Sequence, residues 1–273
     1  MSEAPSSMVD RVVLILSIFE RSSAESLTAG QISVRSGIPR SSVHRILSQL
    51  VTARWLMRHE DGYALGLRMF EIGSLVAHRS RITCAARPFI HELAERTGQV
   101  VHLAVLDQQD VVYLDKVANV SADRASADRA FAGTLPSRVG GRLPAHCTAV
   151  GKALLAYSPQ ATVNEYLATG LRRRTLASLA TPAALEAAIA GIRGAGYSTE
   201  RDEAVPGVAC VAAPIRTFDE VVAAVSVCGP RDQVRAKELR PLVMWTAAEI
   251  SRSLMTAASP LALAGPVREV ARP

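Results

Sequence analysis

Five polar side chains, Arg40, Ser41, Ser42, His44 and Arg45, crowd one short stretch of this chain. Their types suit an anionic partner. Arginine forks match phosphates and guanine edges, imidazole reaches base edges, and short serines let a backbone come close to a groove. The same stretch opens a helix, because Val43, Ile46, Leu47, Leu50 and Val51 recur at i, i+3, i+4, i+7 and i+8 as one buried stripe. A helix start is the positive end of the backbone dipole and favours acidic residues. This one opens with arginine. From Ser26 to His59 there are five arginines and no Asp or Glu, a local basic patch suited to nucleic acid. Arg40 and His44, at the borders of the stripe, are placed for base edges. Arg45, opposite the stripe, clamps a phosphate or ties the helix to its neighbour, and phosphate is the favoured reading.

The elements that must position this helix can be read around it. Val9–Glu20 spaces Val12, Val13, Leu16, Ile18 and Phe19 helically. Thr28, also a candidate DNA contact, is a good N-cap with Gln31 three residues on, as in a capping box. That second helix runs to Gly37, a C-terminal glycine, and Pro39 suits the first turn of the third. WLMRH and YALG flank Glu60-Asp61-Gly62 as a hairpin with a glycine turn. Helix, helix, turn, helix and hairpin make a winged helix-turn-helix, with Arg58 and Tyr63 of the wing as candidates for DNA-backbone contact. Residues 67–80 read as a connecting helix.

Beyond it, strand-like runs (VVHLAVLD, VVYLDKV, YSTERDE, GVACVAAPI, VVAAVSVCGP) mix with helical ones (RPFIHELAERTG, AHCTAVGKALLAY, TPAALEAAIAGIRGAG), and a long helix covers about 234–257. The expectation is an α+β chain. Its N-terminal winged helix-turn-helix and connecting helix occupy 1–80, an α/β sensor-like domain on an antiparallel sheet occupies 81–258, and 259–273 is a flexible Ala/Pro-rich tail. The repeat SADRA-SADRA at 121–130 is too short for a solenoid and reads as a lengthened loop or short helix.

With 273 residues, 49% apolar and 21% charged, the composition is globular. The net charge of +6 suits a polyanion. The N-terminus lacks the pattern of a secretory signal, no apolar run approaches a membrane span, and the four cysteines lie far apart without a C-x-x-C pair. Reduced thiols and a cytoplasmic location are expected.

LTAGQISVRSGIPRSSVHRILSQL, YALGLRMFEIG, HELAERTGQVVHLAVLD, GGRLPAHCTAVGKALLA, GVACVAAPI and AAVSVCGP follow one another in register. Together they resemble the IclR family of bacterial transcription regulators over about residues 8–257. The resemblance implies a winged N-terminal domain on double-stranded operator DNA, a homodimer or dimer of dimers, and a C-terminal GAF-like domain holding a small organic or aromatic acid. Two departures stand out. TARWL lacks the glycine that usually precedes the aromatic residue, which affects the start of the wing, and 118–133 is longer than usual.

GGRLPAHCTAVGKALLA superficially resembles a phosphate-binding loop, but His146 and Ala153 stand at two of the fixed positions of G-x-x-x-x-G-K-[ST]. Nucleotide binding is rejected. The resemblance makes this turn a pocket wall instead. Thr148, Ala149 and Val150 would open a helix whose unpaired N–H groups meet a carboxylate; the alternative is a packing turn before a core helix. It also points to Leu143 and Val208 as apolar walls and to Cys210, Ser226 and Cys228 as lining. Ser226 and Cys228, two apart on one strand, share a face. Ser226 is the expected hydroxyl donor, whereas the cysteines line the pocket or pack as small hydrophobes. Glu200 or Asp202 closes the pocket or is solvated on a loop. His78, His91 and His102 read as structural. The cysteine spacings match no metal-ligand rule and no catalytic constellation emerges, so neither cofactor, metal nor enzyme activity is expected. The rival reading is a small-molecule or metal sensor, or an enzyme domain, with a non-functional helix-turn-helix.

Overall fold

The computed structural model describes residues 7–118, 131, 133, 135–218 and 220–256. The SADRA repeat and the expected flexible tail lie outside them. The chain divides into two compact units, Met1–Arg79 and Ser80–Pro273.

In the first unit, α1 (Met8–Glu20), α2 (Ala29–Ser36) and α3 (Arg40–Thr52) precede the wing strands β1 (Leu56–His59) and β2 (Gly62–Leu65), and α4 (Leu67–Arg79) follows. The Thr28 hydroxyl accepts from Gln31 N–H while Gln31 answers the Thr28 N–H, so the capping box forms, and Gly37 ends α2 at φ 68°. Val43, Ile46, Leu47 and Leu50 turn inward onto Ile15, Ile32 and Leu56. Two local readings are corrected. Pro39 is the N-cap of α3, one residue before the helix. Val13 leaves the apolar stripe of α1 and is 56% exposed, because Ile15, Ile18 and Phe19 define the packed side.

The wing is tied down by a third extended segment. Leu27 N–H donates to Tyr63 O and Tyr63 N–H to Leu27 O, both at 2.9 Å. At the TARWL departure Arg54 adopts φ 64°, the left-handed conformation that glycine takes without steric cost. Its guanidinium lies 2.9 Å from the Glu71 carboxylate on α4.

The second unit is built on one antiparallel sheet of order β5-β4-β3-β8-β7-β6. Its strands are β3 (Val100–Asp107), β4 (Asp110–Ala118), β5 (Arg142–Pro144), β6 (Ser198–Arg201), β7 (Val208–Thr217) and β8 (Glu220–Pro230). Alternation assigns the faces. Val101, Leu103, Val211, Ala213, Val225 and Val227 point to one side, where α5 (Arg81–Thr97) and α9 (Ala236–Thr256) cover them. Ala104, Ala212 and Ala224 point to the other, small enough for α6 (Ala149–Tyr157) to lie close, with α8 (Pro182–Ala195) outside it. Residues Ala149 to Ala156 of α6 are all buried. The AHC part of the expected helix is instead a 3-10 turn, Ala145–Cys147, and Thr148 is extended between turn and helix. Helix α7 (Gln160–Ala168) and the short strand β5 were not anticipated.

Close approach makes one glycine indispensable. A Cβ on Gly151 would meet the Ala145 carbonyl oxygen at 2.2 Å, whereas one on Gly73, inside α4, would meet nothing within 4 Å. Gly151→Ala should cost several kcal/mol, about 3 or more. Gly73→Ala should add up to about 1 kcal/mol through helix propensity. Urea unfolding of both variants checks the opposite signs.

Candidate nucleic-acid interface and ligand pocket

Helix α3 presents Arg40, Ser41, His44 and Arg45 as exposed side chains, with Ser42 half-buried. Its first turn holds no acidic residue, and Pro39 supplies no side-chain cap. The first N–H groups therefore remain available to an external acceptor. Arg58 is exposed on the wing, its guanidinium 5.3 Å from the Tyr63 ring centre. Tyr63 itself is 4% exposed. Its paired backbone and buried ring make it a packing residue of the wing, in place of the exposed DNA contact expected. The hydroxyl of Thr28 is likewise engaged in the cap of α2.

A small cavity opens on the α6 side of the sheet. It is lined by Leu143, Thr148, Ala149, Val150, Glu200, Val208, Cys210, Ser226 and Cys228, nine of the ten residues singled out from the sequence. Asp202 is the exception. Its carboxylate accepts from Gly207 N–H and pairs with Arg231 at 2.9 Å, which closes a surface turn and leaves it out of the wall. Strand pairing explains the convergence: Glu200, Cys210 and Cys228 stand directly opposite one another across β6, β7 and β8. Ala212, Ser226 and His102 form the next row on the same face.

At the helix end, Thr148 does not offer a free hydroxyl. Its Oγ1 accepts from Gly151 N–H at 3.0 Å and leans on Ala145 O at 3.4 Å. The cap takes one donor of the first turn, and helix geometry leaves the Ala149 and Val150 N–H groups without an intrahelical acceptor. Both residues line the cavity.

His102, expected to be structural, also lines the pocket. Its Nε2 lies 2.8 Å from Ser137 Oγ, and burial, reinforced by the nearby Lys116 charge, pushes its pKa down to about 3, so it is neutral. Tyr113, Leu135 and Ser137 also belong to the wall. The signal for His102 was present as one polar residue inside the apolar run VVHLAV; Leu135 and Ser137 lie on a loop that no pattern marks.

The lysine of the phosphate-loop lookalike is buried and 2.5 Å from Glu203, so it has no phosphate to meet. The Glu203 carbonyl accepts from Ser178 Oγ at 2.7 Å, which pins this segment behind the pocket. Both ring nitrogens of His146 are occupied, by Tyr166 Oη at 2.8 Å and Arg172 O at 3.1 Å. Burial pushes the Cys147 thiol up to about 12. This neighbouring pair therefore offers neither an open metal ligand nor an activated nucleophile. Among the described residues, no group of three or more His, Cys, Asp or Glu is arranged to hold a metal ion.

The family model for the bacterial transcriptional regulator IclR C-terminal domain matches residues 74–252, and that for the IclR helix-turn-helix domain matches 8–60. The chain belongs to the IclR family of bacterial transcriptional regulators. It is 34% identical over 236 residues to the HTH-type transcriptional regulator XynR of Escherichia coli, covering 85% of this chain and 89% of that one. It is 30% identical to the transcriptional repressor IclR of the same organism, over 83% of this chain and 82% of that one. Among solved structures, an IclR homolog from Microbacterium hydrocarbonoxydans complexed with 4-hydroxybenzoate superposes with a TM-score of 0.79 at 29% identity, covering 93% of this chain and 100% of that one. The α+β fold and the role of DNA-binding transcriptional regulator follow from this IclR membership.

One acid in the pocket has an unusual ionisation. Burial raises the Glu200 carboxyl from the ordinary 4.5 to about 7, against the hydrogen bond it accepts from Ala204 N–H. Between those values the unfolded chain has lost a proton that the folded chain keeps, so stability falls as pH rises through the window. The whole shift corresponds to about 3 kcal/mol. Glu200→Gln should therefore differ little from wild type at pH 5 and become the more stable of the two at pH 8, measured by urea midpoints at both values.

Proposed function

We propose that this IclR-family regulator reads a two-fold operator with the exposed face of α3 and responds to a small carboxylate held at the start of α6. The observation that carries the first half is an uncapped, acid-free helix start set in a basic winged helix-turn-helix. A single recognition helix buries too little surface for tight specific binding, so two copies on half-sites about one helical turn apart, or a multiple of it, are required. Exposed Val9 and Val13 on α1 and Leu67, Phe70, Leu75 and Val76 on α4 supply apolar surface for a homodimer. A dimer of dimers is the next step of the same assembly. The relatives are regulators and not enzymes, no described helix is long and apolar enough to cross a membrane, and the site of action is the bacterial cytoplasm, where operator DNA resides.

Arg40→Ala and His44→Ala should each relax base preference at a distinct operator position by about 1–3 kcal/mol. Arg45→Ala should weaken all sequences alike and lower the slope of log affinity against log salt by about 1. Selection of bound sequences from a random pool, with salt titrations, distinguishes the two. Unchanged preferences in both base-reading variants would refute the assignment of α3.

For the ligand, the Ala149 and Val150 N–H groups and the positive end of α6 favour a carboxylate, with Ser226 as hydroxyl donor and Leu143, Val150 and Val208 as apolar walls. A ligand shifts the protein between arrangements only through its differing affinity for them. Glu200 faces the ligand. Below pH 7 it is neutral and can donate a hydrogen bond; above, its charge opposes the carboxylate. Affinity for 4-hydroxybenzoate, used as a probe, should fall towards tenfold per pH unit above 7. Glu200→Gln should flatten that fall, and 4-hydroxybenzamide should bind far more weakly at every pH. Calorimetry at pH 6 and 8 decides: a benzamide that binds as well as the acid removes the carboxylate reading.

A further inference from the structure

The pocket's two cysteines occupy a more particular position than lining requires. Cys210 and Cys228 are direct partners in the β7–β8 ladder, and their Sγ atoms lie 2.9 Å apart. Directly opposed antiparallel residues have Cα atoms about 4.5 or 5.5 Å apart, inside the range of about 4.4–6.8 Å that a disulfide spans. The sulfurs are less than about 1 Å beyond the bonded length of about 2.05 Å. Glu200 is the next residue in the same row, across β6–β7, with its carboxyl beside the Cys210 thiol. One Glu200 oxygen is buried without a hydrogen-bond partner. All three side chains border the cavity, which gives a small oxidant a place to meet them.

From this row we infer that Cys210 and Cys228 form a reversible redox site that closes to a cross-strand disulfide with a peroxide as oxidant and Glu200 as the proton acceptor. The Cys210 thiol gives its proton to the Glu200 carboxylate, and the sulfur attacks one peroxide oxygen. The O–O bond breaks, the departing hydroxide takes the proton back from Glu200 as water, and Cys210 becomes a sulfenic acid. The Cys228 sulfur then attacks that sulfur. The S–O bond breaks and the hydroxide leaves with the Cys228 proton as a second water. Two thiols are oxidised and one peroxide is reduced. The hydrogen bond to the Cys228 thiol, followed by burial, holds Cys210 well above the ordinary thiol range, so the reaction is slow and answers sustained oxidation. The proposal holds whatever ligand the pocket takes.

The full chain, treated with hydrogen peroxide, quenched and alkylated under denaturing conditions, tests it by mass spectrometry. A monomer carrying two fewer alkyl groups than the reduced control is expected, with a Cys210–Cys228 linked peptide that dithiothreitol reverses. The bond should form at least tenfold faster in the folded chain than in guanidinium-unfolded chain. Cys210→Ser and Cys228→Ser should each remove it while melting as cooperatively as wild type. The wild-type rate should step up with pH near 7, and Glu200→Gln should be slower and lack the step. Both thiols fully alkylated in a sample whose exposed Cys84 is oxidised would overturn the site, as would sulfinic acid at Cys210 in place of the crosslink or equal rates folded and unfolded. An unaltered rate and pH profile in Glu200→Gln would overturn the role of Glu200.

Discussion

The pocket stands on a charge that has almost no access to water. Lys152, in the middle of a helix buried along nearly its whole length, is paired with the Glu203 carboxylate at 2.5 Å. Desolvating such a pair is expensive, and it adds little net stability over an apolar core. What it does is fix position. Glu203 is tethered to α6 by its carboxylate and to Ser178 by its carbonyl, and its own N–H donates to Glu200. The acid that ionises abnormally is thus held against the cavity by the pair behind it. Removing Lys152 alone would strand a buried carboxylate and release the segment that carries the pocket's only described acid.

The two units use the same elementary device at different scales. A helix start leaves N–H groups that need acceptors. In α3 the start is uncapped and ringed by arginines, so a polyanion at the surface can serve. In α6 a threonine cap takes one donor and leaves two at the edge of a cavity. Net basic charge steers the first; the second is insulated from it by burial.

Periodicity and residue type exposed α3, its border residues Arg40 and His44 and the capping box because those are local properties. The pocket was legible for a different reason: the family likeness aligned two strands and a turn far apart in sequence, and alternation then put Ser226 and Cys228 on one face. What escaped required three-dimensional knowledge. His102 joins the wall only because β3 pairs with β8, Asp202 leaves it because Arg231 captures it, and the Thr148 hydroxyl is spent on a cap only once the 3-10 turn is seen. Val13 shows the limit of a helical stripe, since several phases fit a short apolar-rich helix and packing chooses among them.

Arg54 carries a lesson about history. At φ 64° it does what a glycine would do without strain, and its side chain reaches Glu71 on the following helix, which Arg68 also engages. A glycine at this place would forfeit the tether and leave Glu71 to Arg68 alone. The two positions are bound together, so a change at one alters what the other can accept. The order in which changes accumulate becomes part of what the wing can evolve into.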